Sequence, residues 1–189
     1  MARPKSEDKR NALIAAAGHV IAAQGLSAPT AVIAREAGVS NGSLFTYFDT
    51  KADLFNKLYL RLKSGMAIAS LEGLPVDAPL REQFFHMWSN WMRWSTSNPE
   101  MRRALALLDV SDEITQEARA ESHQAMAEVA GMVEAVRSHG PMRDAPMEFV
   151  VAMMNSLAEA TMDFTINDPA NADAHCKVGF DALWRVVSG

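Results

Sequence analysis

The chain has 189 residues, 49% of them hydrophobic, with 18 Lys/Arg against 23 Asp/Glu for a net charge of −5; that is apolar mass for one or two domains, since a chain of about this size buries ~70% of its unfolded surface. No apolar run approaches the ~18 residues that cross a bilayer, and the opening MARPKSEDKRNA has no apolar signal core behind it, so a cytoplasmic protein is expected. Cys176 is the only cysteine, which excludes an intrachain disulfide and a Cys-based metal cluster; His86, His123, His139 and His175 show no tight ligand spacing, so neither a metal nor a cofactor is expected.

The elements read as helices from end to end, because Ala, Met, Leu, Glu and Arg dominate while Val and Ile are sparse. Helix one is expected from about Ser6, with Glu7 and Asp8 favouring its positive end. Its apolar stripe is Leu13, Ile14, Ala17, Val20 and Ile21, and Gly25 stops it. Helix two spans about 28–37, with Ser27 as N-cap and Pro29 in the first turn; Gly38 ends it. Helix three starts after Ser40 and is short. Thr50 and Asp53 form a capping-box pattern for helix four, which runs through Leu54, Leu58 and Leu62 towards Ser70. LEGLPVDAP is a connector. Five further helices are expected at about 79–97, 99–108, 112–138, 146–166 and 171–187, separated at Asn98-Pro99, Gly140-Pro141 and Asn167-Asp168-Pro169. The total is about nine helices and no sheet, an all-α protein.

Charge is unevenly distributed along this order. Residues 1–65 hold nine Lys/Arg and five Asp/Glu, a balance of +4, and the remainder stands at −9. Such asymmetry suits a nucleic-acid-facing segment joined to an acidic domain. Within the basic segment lies APTAVIAREAGVSNGSLFTYFDTK. A helix-turn-helix needs two short helices and a tight turn. Ala34 is small where the second helix must come close, and Gly38 sits where the chain must turn with positive φ. Ile33, Ala37, Val39, Leu44 and Phe48 would form the small core of the corner.

The polar residues between those anchors face outward in this reading. Ser40, Asn41, Gly42 and Ser43 open helix three, the part of the motif that meets base edges in the major groove. Asn pairs bidentately with adenine, and Ser donates or accepts. Thr30, Thr46, Tyr47 and Lys51 are of types that hold phosphates or flank the reading surface. An ordinary helical corner is the structural alternative for the Ala-Gly-Leu pattern.

At Ile33, Ala34, Ala37, Gly38, Val39, Ser40, Gly42, Leu44, Phe48, Lys51 and Leu54 the chain resembles the TetR family of bacterial transcriptional regulators, over about residues 6–60. The resemblance implies a DNA-binding domain of three helices at 1–50, joined by a linking helix to a helical effector-binding and dimerisation domain at 51–189. Two departures stand out. The family's usual Tyr after Leu44 is Phe45 here, which removes a hydroxyl and leaves apolar contact, with a thymine methyl or a sugar. A Lys is common where this chain has Asn41. Tyr47 supplies a hydroxyl nearby. Arg3, Pro4 and Lys5 form either a basic arm that reaches the DNA or a solvated tail.

The same resemblance implies a homodimer through helices 146–166 and 171–187, which carry Phe149, Val150, Met153, Met154 and Leu157, and Val178, Phe180, Leu183, Trp184 and Val187. It further implies a small-molecule effector bound by the helix FFHMWSNWMRW and those after it. Phe84, Met87, Trp88, Trp91 and Met92 surround most of that helix, so they are either plain core or the lining of an apolar cavity. Met126, Met132, Met153 and Met154 are candidates for its other walls, and His86, His123, Asn155, Glu159 and Asp163 for its polar groups. The expected function is a ligand-responsive regulator, a repressor released from a palindromic double-stranded operator by a small apolar effector. Alternatives are an activator, or a protein-binding helical dimer with a vestigial DNA head. P-loop, H-E-x-x-H and Rossmann glycine patterns are all missing from the sequence, and Ser, His and Asp fall in no recognisable catalytic arrangement, so no enzyme is expected.

Overall fold

A computed structural model describes the backbone of residues 3–189 and the side chains of residues 7–189. The side chains of the expected basic arm, Arg3, Pro4 and Lys5, lie outside the described residues. Among the described residues the order is α1 (Arg3–Gln24), α2 (Thr30–Glu36), α3 (Asn41–Tyr47), α4 (Lys51–Leu71), α5 (Leu80–Ser97), α6 (Pro99–Asp109), α7 (Gln116–Ala125), α8 (Ala127–Arg137), α9 (Met147–Asn167), a 3-10 turn at Pro169–Asn171 and α10 (Ala172–Val187). The fold is all-α, as the composition implied.

Three boundaries differ from the sequence expectation. α1 begins at Arg3 rather than near Ser6. α2 begins at Thr30, with Pro29 as its N-cap in extended geometry (φ −65°, ψ 144°) rather than Ser27; the residue before a proline is pushed out of the helical region, which delays the start. The expected helix 112–138 is two helices, α7 and α8, parted at Met126, whose ψ of 4° breaks the run. No proline or glycine marks that break. α7 and α8 pack into different cores, and the chain changes core between residues 125 and 126.

By packing, the chain falls into two units: residues up to 65 with 98–125, and 66–97 with 126–189. This partition is distinct from the functional division expected at residue 50, because it groups α6 and α7 with the first three helices. In the first unit, Leu13, Ile14, Ala17, Val20 and Ile21 are buried as the helical stripe requires, together with Ile33, Leu44, Phe48, Leu54, Phe55 and Leu58. α6 lies against α1 closely enough that a Cβ on Gly18 would sit 3.0 Å from Met101 Sδ. His19 on α1 pairs with Glu100 on α6, and Lys63 on α4 pairs with Asp109 at 2.9 Å.

The second unit packs α5 against α8, α9 and α10. Its core is aromatic and thioether-rich: Phe84, Met87, Trp88, Met92, Met132, Met154, Met162 and Phe180 are buried. Trp88 Nε1 donates to the carbonyl of Cys176 at 3.1 Å, which satisfies the indole inside the core. α9 and α10 cross tightly at Gly179, where a Cβ would fall 2.2 Å from Thr161 Oγ1. Arg137 holds the 138–146 loop by donating to the carbonyls of Met142, Arg143 and Ala145. Burial pushes the Cys176 thiol up from its ordinary range, so the thiolate needed for reactivity is suppressed.

Candidate nucleic-acid interface

Backbone geometry closes the corner between α2 and α3. Gly38 adopts φ +69°, a left-handed conformation that costs a residue with a Cβ about 1–2 kcal/mol. Its N–H bonds to the carbonyl of Arg35, and that of Val39 to Ala34, so the end of α2 is satisfied. Ile33, Ala34 and Leu44 are fully buried and Phe48 nearly so, while Ala37 and Val39 are half-buried.

α3 is then capped from within. Ser40 Oγ accepts the N–H of Ser43 at 3.1 Å, and the Ser40 and Ser43 hydroxyls bond to each other at 2.9 Å. Both serines expected at base edges are therefore engaged in the cap. Thr46 leans back on the carbonyl of Gly42 at 3.5 Å. Asn41, Gly42, Phe45 and Thr46 are exposed, and Thr30 and Tyr47 are half-buried. Phe45 keeps 45% of its surface in solvent, unusual for a large aromatic ring.

Lys51 is already engaged. Its Nζ donates to the carbonyl of Leu26 at 2.6 Å and lies 5.2 Å from the centre of the Phe55 ring. The ammonium thus fastens α4 to the turn after α1, with further N–H groups left over. Thr50 caps α4 through Asp53 N–H at 3.0 Å.

Sequence reasoning missed Asn56. Its buried amide donates to the carbonyls of Ala52 at 2.7 Å and Glu113 at 2.9 Å, and accepts the N–H of Thr115 at 2.9 Å. This one side chain fixes the loop before α7 to α4. Arg119 adds bonds to the carbonyls of Asp109 and Ser111. The signal was present as a polar residue beside Phe55 on the buried side of α4, between Ala52 and Tyr59.

The expected effector residues separate into three places. Phe84, Met87, Trp88 and Met92 are core residues at 0–3% exposure, with Trp91 and Met126 packed against them. Met153 lines an open groove of about 410 Å³ with Phe149, Ala152, Ser156, Leu157 and Val186. Asn155 and Glu159 are exposed on α9, and His123 is exposed on α7 in the first unit. These three polar residues stand outside the aromatic cluster. His86 instead donates to the carbonyl of Glu72 at 2.8 Å, beside Asn90, which bonds the same carbonyl at 2.9 Å.

Part of the exposed surface of α9 and α10 is apolar. Phe149, Ala152, Met153, Ser156 and Phe164 recur at helical spacing along one face. Phe149 is 53% exposed, Phe164 66% and, on α10, Val178 69%.

Residues 13–58 match the bacterial regulatory proteins of the tetR family. Among solved structures, the chain is similar to a TetR-family transcription regulator from a Shewanella species, with 24% identity, 93% of this chain and 96% of that one covered, and a TM-score of 0.82. A second, from Marinobacter aquaeolei, has 21% identity, 96% of each chain covered and a TM-score of 0.83. The regulator FadR from Bacillus subtilis, solved in complex with stearoyl-CoA, has 19% identity, coverage of 95% and 98%, and a TM-score of 0.70. No helix among the described residues is long and apolar enough to cross a membrane. The chain thus carries the tetR-family segment at residues 13–58 and has the fold of the TetR-family transcription regulators.

Proposed function

We propose that the protein is a dimeric transcriptional repressor that binds a palindromic operator and leaves it when a small apolar effector binds. The observation that carries this reading is the surface of α3. The corner behind it is closed by Leu44, Phe48 and Gly38, while Asn41, Gly42, Phe45 and Thr46 are turned to solvent. The internal bonds of the corner leave Asn41 and Phe45 unused, and residues 1–65, which include them, carry nine Lys/Arg against five Asp/Glu.

One such head touches few base pairs, so specificity calls for two heads about 34–36 Å apart on a symmetric site. The exposed face of α9 and α10 supports a two-fold contact between copies. Phe149, Met153, Phe164 and Val178 form an apolar surface of the kind buried in stable dimers. Thr30, Tyr47 and the remaining N–H groups of Lys51 hold phosphates at the rim of the reading surface.

The effector reading rests on the second unit. FadR, a regulator of similar fold, is described with a bound acyl-CoA. The Met-rich core of this chain has the adaptable packing that admits apolar molecules of varied shape. Release requires the effector to prefer the form that does not bind DNA; a tenfold preference supplies ~1.4 kcal/mol.

The test is selection of bound duplexes from a random pool, followed by titration of the enriched sequence. Enrichment of a two-fold symmetric site, weaker binding in Asn41→Ala and Tyr47→Ala, and an intact dimer by sedimentation are the expected results. A pool that stays random after repeated rounds would rule the regulator out. A chain that sediments as a monomer at micromolar concentration, and still does so on the selected duplex, would rule out the dimer.

A further inference from the structure

We propose that α3 reads an adenine and a nearby thymine in each half-site, the adenine through the Asn41 amide and the thymine's C5-methyl through the Phe45 ring. This inference deepens the DNA-binding reading and rests on it. Four observations lead to it. The hydroxyls of Ser40 and Ser43 bond to each other at the cap, 2.9 Å apart, which uses one of their two O–H donors inside the protein. Asn41 and Phe45 are both exposed and stand four residues apart, so they lie on one side of α3, a turn from each other. Phe45 keeps nearly half its surface in water, although the ring has no hydroxyl to solvate. Gly42, between them, has ordinary backbone geometry, and a Cβ there would meet only Ser40 Oγ at 4.0 Å. Nothing inside the protein needs glycine at that position, and its bare surface lets a base edge come close.

The chemistry then selects the bases. An amide donates and accepts side by side, which matches N6 and N7 of adenine, whereas an apolar ring in the major groove finds one apolar base group, the thymine methyl. One helical turn rises 5.4 Å and base pairs are ~3.4 Å apart, so the two side chains meet pairs one or two steps apart. A guanine at either place would leave its acceptors against a ring or an unmatched amide.

The probe is the duplex enriched from the random pool. Each thymine in one half-site is replaced in turn by deoxyuridine, which lacks only the methyl, and each adenine by 7-deazaadenine, which lacks only N7. For the wild-type chain, one deoxyuridine is expected to weaken binding about fourfold, the worth of one buried methyl. One 7-deaza substitution weakens it about fivefold or more, from a bidentate contact. In Phe45→Ala the deoxyuridine penalty vanishes and the 7-deaza penalty remains; in Asn41→Ala the reverse holds. Phe45→Leu retains part of the methyl penalty, and thermal melting of each variant verifies the fold. Equal binding of thymine and deoxyuridine duplexes by the wild type would overturn the inference. So would a full deoxyuridine penalty in Phe45→Ala, or a selected half-site that lacks an adenine and a thymine within two steps. Failure of the pool to enrich any duplex is a different outcome, which removes the regulator reading itself and this inference with it.

Discussion

The two packing units bury different side chains. Among the described residues, the buried hydrophobic residues of the first unit, up to 65 and from 98 to 125, are aliphatic with a few aromatics and include no methionine; the core of the second holds Met87, Met92, Met132, Met154 and Met162. Branched aliphatics such as Ile14, Ile21 and Ile33 have few rotamers and fix their neighbours. Methionine bends around whatever shape it meets. A unit that must present Asn41 and Phe45 in one geometry gains from the first kind of core. On the proposed function, an interior that admits an effector gains from the second. Polar clamps occur in both units: Asn56, Lys51 and Arg119 bond to backbone carbonyls in the first, and Arg137 does the same in the second.

Mutations sharpen that contrast, beginning with the largest effect. Leu44→Ala removes a fully buried side chain from the corner and should cost about 2–5 kcal/mol, measured by urea unfolding. Met154→Leu, at a buried site of the second core, conserves volume and should cost less than about 1.5 kcal/mol. A penalty for Met154→Leu as large as that of Leu44→Ala would remove the distinction between a rigid and an adaptable core.

Asn56→Ala leaves the Glu113 carbonyl and the Thr115 N–H without their partner. Destabilisation of about 1–3 kcal/mol is expected from the stranded groups, with faster hydrogen exchange at Thr115. Unchanged exchange there would show that Asn56 does not hold the loop.

The smallest effect is on pH dependence. The amide of Asn171, and then His175, hold the exposed Asp168 carboxyl below the ordinary carboxylate range; the Lys177 ammonium does the same for Asp181. A folded-state pKa below the unfolded value gives stability that is complete above about pH 4 and lost as pH falls. The melting midpoint should drop as pH falls below about 4, by less in Asp168→Asn. A variant with the same drop as the wild type would remove Asp168 as a contributor.

The corner of the first unit was legible in the sequence because its constraints are local. Gly38, Ser40 and Thr50 each act within four residues: Gly38 turns the chain and Thr50 caps α4 as the sequence implied, while Ser40, read there as a base contact, caps α3. The break at Met126 was not legible, since no breaker residue makes it and the cause is a change of packing partner. The α9 partition was equally hidden. Phe149, Val150, Met153 and Met154 are all apolar, yet Val150 and Met154 are buried, Met153 is half-buried and Phe149 is exposed. Tertiary packing divides a helix that is apolar on more than one side. The Lys51 contact with Leu26 joins residues 25 apart, a distance over which no motif carries information.

The most direct measurement is the affinity of the wild type and of Asn41→Ala for the selected duplex, across a salt series. The wild type is expected to lose about 0.9 log units of affinity per log unit of salt for each phosphate it neutralises. Asn41→Ala, which removes a base contact and no charge, should show the same slope at about five- to 150-fold weaker binding, with random duplex bound equally by both. Equal affinity of the two proteins for the selected duplex, or one flat affinity for every duplex at every salt concentration, would contradict a DNA-reading role for α3.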